Sequence, residues 1–243
     1  MAISSYYRCT YGNYSETEST VKYNEQNNSN GKEMIKGVST AVQTNPYSGT
    51  SFKVASKTSG ANVFNLLDST AGKVKDGVAR GASVFRVDGP HGKVTYNHFN
   101  TNSSLYPNNK IYQALNHKKI SSVTYNIGKN AGKITKTLKV GGRAVAVAAA
   151  IMDGKEIYDA YKKDGNKVGE NTITTTSGVA GSWVGAIGGA KAGATGGAAI
   201  GTMICPGLGT TIGGIIGGFI GGIVGAIGGK TVGEGIAKEV MNR

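Results

Sequence analysis

Cysteine is nearly absent from this sequence: its 243 residues include two, Cys9 and Cys205, near opposite ends of the chain. Two cysteines this far apart match neither the paired spacing of a structural zinc site nor the framework of a disulfide-rich domain. The first residues also lack the basic segment and apolar core of a classical secretory signal peptide. If the protein leaves its cell, we therefore expect release by a dedicated secretion machine or by lysis.

Charge is absent from one long stretch, because no Asp, Glu, Lys or Arg occurs between Ala192 and Gly229. Acidic residues are also missing between Ser121 and Met152, although the chain as a whole carries a net charge of +13. A basic chain favours anionic partners, which are nucleic acids or membrane surfaces. Because the basic residues adjoin the uncharged stretch, we expect an anionic lipid bilayer as the partner and do not expect nucleic acid.

The uncharged stretch belongs to a region rich in glycine at a fixed spacing. A small residue occupies every fourth position from Gly181 to Gly233, and thirteen of these fourteen positions are glycine. On an α-helix this spacing forms one smooth stripe, a glycine zipper, on which another helix can pack with close backbone contact. We expect the stripe to mediate membrane insertion and oligomerisation through Gly181, Gly185, Gly189, Gly193, Gly197, Gly201, Gly209, Gly213, Gly217, Gly221, Gly225 and Gly229.

The zipper is predicted to be a helical hairpin. Cys205-Pro206-Gly207 separates two runs, Trp183–Ile204 and Gly207–Gly229, and each run exceeds the roughly 20 residues that span a bilayer. The second run holds eleven glycines, each costing a helix in water ~1 kcal/mol relative to alanine. Lipid makes the helix nearly obligatory, so we favour membrane insertion over a buried hairpin in a soluble assembly. Lys191, the charge within the first run, is a candidate pore-lining residue unless it snorkels to the interface.

A basic segment precedes the zipper. Its five cations fall within roughly a 120° sector of a helix, and an apolar run, Ala144–Met152, follows them. A basic face that continues into an apolar run can lie on anionic lipid; a solvated face of a packed helix is the alternative. Residues 153–167 are predicted as a separate charged helix that ends at Gly165-Asn166. The candidate lipid-binding residues are Lys129, Lys133, Lys136, Lys139 and Arg143.

The first half of the chain is predicted to contain short strands. Alternating residues near Tyr6–Tyr14 and Ser51–Ser56 indicate strands within residues 1–62, with a loosely ordered leader as the alternative. The apolar spacing over residues 62–82 predicts an amphipathic helix. Residues 83–88 and 93–99 alternate on either side of Gly89-Pro90-His91-Gly92, which predicts a β-hairpin.

The three histidines, His91, His98 and His117, fall within 27 residues of this region. They are candidates for acid–base catalysis, as in a metal-independent nuclease, or for metal binding. Their spacings match no zinc or nuclease signature, and a hydrogen-bonded polar surface is the simpler interpretation. We therefore expect no catalytic residues, no metal and no cofactor. If the histidines are catalytic, Arg86, Lys93 or Lys118 is expected to stabilise an anion. If they bind a metal, Asp88 is expected to be the fourth ligand.

Two segments resemble a known group of proteins. KVGGRAVAVAAAIMDGKEIYDAYKKDGNKVGENT and the zipper that follows resemble the C-terminal glycine-zipper regions of bacterial polymorphic toxins. These include membrane-depolarising effectors of the LXG class exported by type VII secretion systems. VFRVDGPHGKVTYNHFNTN is similar to a strand–turn–strand element that recurs in such toxins. The chain lacks a long N-terminal helical LXG domain. The resemblance implies a secreted antibacterial protein that dissipates ion gradients and is countered by an immunity protein.

The sequence thus predicts an α+β protein in three parts. These are a mixed soluble region with a β-hairpin in residues 1–120, a basic helical linker in 121–170, and a glycine-zipper hairpin in 171–243. The predicted function is that of a pore-forming toxin delivered to a target-cell membrane, where several copies associate because one hairpin encloses no channel. The alternatives are an enzyme for which the zipper serves delivery, and a structural or phage-tail component.

Overall fold

The protein is α+β, as the sequence predicts: a small antiparallel sheet is followed by long helices that end in a helical hairpin. The computed structural model describes residues 29–47, 49–55, 58, 60–75, 78–79 and 81–243. The strand predicted near Tyr6–Tyr14 lies outside these residues.

The sheet has four strands in the order β1-β2-β5-β6, and all neighbouring strands are antiparallel. These strands are β1 (Phe52–Val54), β2 (Asn62–Asp68), β5 (Ala82–Asp88) and β6 (His98–Thr101). Two short strands, β3 (Val74–Lys75) and β4 (Val78–Ala79), pair with each other between β2 and β5. The strand predicted near Ser51 is confirmed as β1.

The helix predicted over residues 62–82 is wrong, because this segment forms β2, β3 and β4. Two register shifts interrupt the pairing of β2 with β5, one between Asn62 and Phe64 and one between Leu66 and Leu67. Such shifts disturb the two-residue alternation that identifies a strand. The remaining apolar spacing then resembles that of a helix.

The predicted hairpin is confirmed in its first strand and corrected in its second. β5 pairs with β6, but β6 begins at His98 rather than at residue 93. Residues 89–97 form a loop with its own tight turn, in which His91 and Val94 exchange backbone hydrogen bonds around Gly92. Gly92 has a φ of 56°, a conformation that glycine adopts readily.

The core of the sheet contains Leu66, Val84 and Phe85 together with Tyr112 of helix α2 (Lys110–Ala114). The hydroxyl of Tyr112 donates to the carbonyl of Val84 at 2.5 Å. Burial raises the pKa of Tyr112 to about 12, so this hydroxyl remains a donor throughout the physiological range. Cys205, from the tip of the C-terminal hairpin, completes the same core.

Three long helices follow the sheet: α3 (Ser122–Lys163), α4 (Glu170–Ile204) and α5 (Leu208–Met241). α3 is one continuous helix, so the separate helix predicted for residues 153–167 is wrong, although its predicted end at Gly165-Asn166 is confirmed. Both of these residues have positive φ, which ends a helix.

Asp164 connects α3 to α4. Its carboxylate accepts hydrogen bonds from the backbone N–H groups of Gly169, Asn171 and Thr172 at the start of α4. The hydroxyl of Thr172 donates as well, at 2.6 Å. These bonds, the one from the Thr172 hydroxyl foremost, hold the pKa of Asp164 well below its ordinary value.

A helix that the sequence analysis did not predict, α1, occupies residues 29–41. It lies against the C-terminal hairpin: the backbone of Gly37 contacts Gly222 and Ile223 of α5. On its other side the side chain of Val42 and the carbonyl of Ser39 meet α3 at Gly142. α1 therefore packs between α5 and α3.

Candidate functional site

The candidate site is the hairpin formed by α4 and α5, whose predicted turn at Cys205-Pro206-Gly207 is confirmed. Gly207 has a φ of 85°. A methyl group built on Gly207 would lie 3.1 Å from Cβ of Phe85 and 3.4 Å from a methyl of Leu66. The turn therefore needs glycine both for its backbone conformation and for its close contact with the sheet.

The glycine stripe joins the two helices of this one hairpin. Each stripe glycine of α4 faces one of α5, and a methyl group built on Gly193 would lie 2.8 Å from the carbonyl carbon of Gly217. Carbon atoms in ordinary contact lie at least 3.4 Å apart, so only glycine fits. The facing pairs are Gly181 with Gly229, Gly185 with Gly225, Gly189 with Gly221, Gly193 with Gly217, Gly197 with Gly213, and Gly201 with Gly209.

This arrangement has a consequence for oligomerisation. While the hairpin is closed, the stripe is covered along its whole length by the partner helix of the same chain. A second chain cannot reach it, so the stripe closes the hairpin and contacts between chains must use other residues.

A second row of small residues runs beside the stripe and was missed by the sequence analysis. It also has a four-residue spacing, and its members are buried. α1 and the segment after it cover part of this row, since Gly37 contacts Gly222 and the carbonyl of Pro46 contacts Gly214. The signal in the sequence was the small residue that follows each stripe glycine from Gly181 to Gly225. The row consists of Gly178, Ser182, Ala186, Ala190, Ala194 and Ala198 on α4, and Thr210, Gly214, Gly218, Gly222 and Ala226 on α5.

The outer face of the hairpin is apolar and exposed. Val184 is 73% exposed and Val224 is 64% exposed. Among the described residues, α5 is the one helix that is long and apolar enough to cross a membrane. The sequence analysis expected two such spans; α4 falls short because Gly, Ala, Ser and Thr replace larger apolar residues in it. Further exposed residues are Ile187, Ile200, Met203, Ile204, Ile212, Ile215, Ile216 and Ile220.

An ion-pair network, centred on Lys36, holds α1 in place. Lys36 is fully buried, and its Nζ lies 2.7 Å from Oδ1 of Asp153 on α3 and 3.2 Å from Oε2 of Glu33. Lys36 also donates to Ser182 of α4 at 2.8 Å. The indole N–H of Trp183 donates to Asp153 at 2.8 Å. A buried charge is stable only when it is paired and hydrogen-bonded, and these contacts meet that requirement.

The network continues to α5 through Lys230. Its Nζ lies 2.9 Å from Glu156 of α3 and 3.7 Å from Glu33, and Glu156 also accepts from Lys32. Burial opposes ionisation of Glu156, but the bonds from the two lysines outweigh it and lower the pKa of Glu156. The network links α1, α3, α4 and α5, and its three cations balance its three anions. The helices that it joins are distant in sequence, so no local pattern predicts the network as a whole.

Lys191, the candidate pore-lining residue, is exposed on α4. It borders an open cavity of about 550 Å³ that lies beside the end of α1 and is also lined by Thr44, Asn45, Trp183 and Ile187. Its side chain is therefore accessible to water in this structure.

The five basic residues predicted to bind lipid are all exposed on α3. An apolar stripe lies on the opposite side of the same helix, where Ile127, Ile134, Leu138 and Val145 fall within roughly a 40° sector. These four side chains are exposed as well. Within the described part of the chain, α3 thus presents an exposed amphipathic surface, of the kind that binds at a lipid interface.

The three histidines come together beside the sheet. The rings of His91 and His98 stack at 4.9 Å between centroids, and those of His98 and His117 meet edge to face at 5.3 Å. His98 is fully buried, whereas His91 and His117 are exposed. Arg86 pairs with Asp88 at 3.1 Å, while Lys93 and Lys118 are exposed.

One comparison with known proteins finds a match. The model of a family described as a C13G5.2-like glycine zipper domain matches residues 165–234. No curated protein and no solved structure matches the chain. Residues 165–234 thus carry a glycine-zipper domain, which fits a membrane-active or oligomerising role.

Proposed function

We propose that this protein is an antibacterial toxin that depolarises a target-cell membrane by inserting its glycine-zipper hairpin. The observation that supports the proposal is that the buried and the exposed faces of the hairpin differ in residue type. The stripe glycines and the second row of small residues are hidden against helices, whereas isoleucine and valine side chains such as Ile200, Val184 and Val224 project outward. A closed hairpin satisfies its backbone hydrogen bonds internally, which a lipid environment requires.

The dimensions of the hairpin agree with this function. α5 has 34 residues, which at ~1.5 Å per residue gives about 50 Å. The hydrocarbon core of a bilayer is ~30 Å thick. α5 therefore reaches across the bilayer with its charged C-terminal turns outside it, and α4 crosses beside it through the glycine contact. Lys191 then faces water in the assembled pore.

Insertion requires two contacts between the hairpin and the rest of the described chain to break. Its tip, at Cys205, must withdraw from the core of the sheet, and α1 must separate from the second row of small residues. That row then becomes available to other chains, since small residues at a four-residue spacing promote helix association in lipid. We therefore assign closure of the hairpin to the glycine stripe and oligomerisation to the second row.

α3 supplies the first contact with the membrane in this mechanism. Its exposed cations are attracted to anionic lipid, and its apolar stripe can enter the interface. The partners are thus an anionic bilayer, further copies of the same chain and an immunity protein that protects the producing cell. The site of action is the membrane of the target cell.

The experiment compares two triple variants in bacteria that express the full chain, with membrane potential followed by a voltage-sensitive dye. One variant replaces Gly189, Gly197 and Gly229, which face the other helix, with leucine. The control replaces their sequence neighbours Gly188, Gly196 and Gly228, which have open space around them. We expect the inner variant to lose depolarisation and the control to keep it. Equal activity of both, or no depolarisation by the natural sequence, would refute the proposal.

A second candidate function, hydrolysis by a nuclease-like enzyme, is favoured by the packing of the three histidine rings. The exposed residues His91 and His117 can be replaced by alanine without opening the core. Depolarisation unchanged in this double variant supports the membrane function. Growth arrest that occurs without depolarisation and disappears in the double variant supports the enzyme.

A further inference from the structure

The histidine region contains a group of side chains that meet across the sheet. Asp88 ends β5, and His98 begins β6 directly opposite to it in the strand register. The loop between these strands brings His91 to the same place. One ligand atom from each of the three residues lies within 4.8 Å of the others.

Two polar atoms of these residues are buried without a hydrogen-bond partner among the described residues. They are Oδ1 of Asp88, which is 2% exposed, and Nε2 of His98, which is 0% exposed. A buried polar atom is almost always satisfied in a folded protein, and an exception calls for an explanation. Both atoms belong to the same group, so one bound ligand would satisfy both.

The remaining polar atoms of the group are already held by their surroundings. Nδ1 of His91 lies 2.9 Å from the carbonyl of Gly89, and Nδ1 of His98 lies 3.0 Å from the carbonyl of Tyr96. A carbonyl can only accept, so each Nδ1 carries a proton, and in the neutral imidazole each Nε2 presents a lone pair. An imidazole oriented by a backbone carbonyl in this way is characteristic of metal sites.

Asp88 is oriented in a similar manner. Its Oδ2 accepts from Asn100 and pairs with Arg86, each at 3.1 Å, so Oδ1 is the carboxylate oxygen that is available as a ligand. The three free atoms are therefore two imidazole nitrogens and one carboxylate oxygen. Calcium and magnesium prefer all-oxygen sites, whereas zinc and related transition metals accept this combination.

We propose that Asp88, His91 and His98 bind a divalent transition metal ion of the zinc class. Tetrahedral ligands of zinc lie about 3.3 Å apart, so binding draws atoms that lie within 4.8 Å of one another closer by up to about 1.5 Å. The exposed position of His91 leaves one side open. There an open cavity of about 180 Å³, lined by Ala61, Asn62 and Arg86 as well as by Asp88 and His91, offers space for a water molecule or another ligand at a fourth position. Three protein ligands and an open position are typical of reactive zinc sites.

The sequence predicts no metal site, because the spacings of the three histidines, 91–98–117, match no known signature. The strand register supplies the proximity instead: Asp88 and His98 are ten residues apart in sequence but are direct partners in the sheet. His117 packs its ring against His98 but is not in the ligand group. It is therefore the natural control.

The test is metal binding by the purified full chain after removal of metals with a chelator. Zn²⁺ is titrated against a chromophoric competitor, and Co²⁺ is added separately to record the visible spectrum of a tetrahedral site. We expect one ion per chain. His91→Ala, which changes an exposed side chain, should lower the affinity by more than about 100-fold, because even residues outside the ligand shell contribute about 10–100-fold. Asp88→Asn should also weaken binding, and His117→Ala should bind as the natural sequence does.

Circular dichroism verifies that each variant retains the fold. The proposal is wrong if the natural sequence binds neither ion at micromolar concentrations, or if His91→Ala binds as tightly as His117→Ala. The readout involves no membrane, so its outcome is independent of the function proposed for the hairpin.

Discussion

The contribution of the glycine contact between α4 and α5 to the free energy of unfolding can be measured with two matched sets of alanine substitutions. The inner set changes Gly189, Gly197 and Gly229, where the added methyl group would lie 2.9 Å from the carbonyl carbon of the facing glycine in all three cases. The outer set changes Gly188, Gly196 and Gly228, where the described residues place no atom within 4 Å of the added methyl group. Each inner position is the sequence neighbour of an outer one.

Two effects determine the expected magnitudes. Alanine in place of glycine stabilises a helix by ~1 kcal/mol, so the outer set should raise the free energy of unfolding by about 3 kcal/mol. The inner set has the same gain, but the helices must move apart at three positions. Overpacking of this kind costs about 1–3 kcal/mol per position. Because both sets have the same gain in helix propensity, it cancels in the comparison. The free energies of unfolding of the two sets should therefore differ by about 3–9 kcal/mol.

Urea denaturation of the full chain, followed by far-ultraviolet circular dichroism, measures this difference. We expect the outer set to unfold at a higher urea concentration than the natural sequence and the inner set at a lower concentration than the outer set. If the two sets unfold at the same concentration, the helices are not in backbone contact, and the assignment of the stripe to hairpin closure is wrong.

Two further predictions concern the ion-pair network. Lys36→Met leaves the buried carboxylates of Glu33 and Asp153 without their cation and should lower the free energy of unfolding by about 3–5 kcal/mol. The control, Lys155→Met, removes an exposed pair with Asp159 and should leave the urea midpoint unchanged. Equal midpoints for the two variants would contradict the network. The pKa of Glu156 lies below its ordinary value of 4.5. Ionised Glu156 therefore stabilises the fold fully above about pH 4.5, and this stabilisation is lost as the pH falls through the lowered pKa. Glu156→Gln should therefore unfold at a lower urea concentration than the natural sequence at pH 6 to 7. The difference between their urea midpoints should shrink progressively below about pH 4.5. A difference that does not change with pH would contradict the role of ionised Glu156 in the network.

The hairpin was the part of the fold that sequence reasoning predicted best. Its evidence is local: glycine at every fourth position defines one face of a helix, and Pro206 followed by Gly207 can only interrupt it. The end of α3 at Gly165-Asn166 was equally local. The sheet was predicted in part: the strand and turn signals of residues 83–92 located β5, whereas β2 was taken for part of a helix. One register shift adds a residue to β2 and the other adds a residue to β5, so neither strand keeps a strict alternation.

α1 was not predicted, and the reason lies in its composition. Residues 29–41 contain Gly31, Gly37, Ser39 and Thr40, which are weak helix formers. The same small residues allow α1 to lie close to α5, where Gly37 contacts Gly222. Tertiary packing thus stabilises a helix that intrinsic propensity does not favour.

The sequence by itself determined the α+β class, the position of the turn at Cys205–Gly207 and the face of each helix on which glycine lies. It did so because these features depend on residues within a few turns of one another. The tertiary structure alone decided that the stripe closes on itself, that Lys36 is neutralised by Asp153, and that Asp88 meets His91 and His98. Each of these pairings joins segments whose proximity depends on strand register or on helix packing, and no local sequence pattern encodes it.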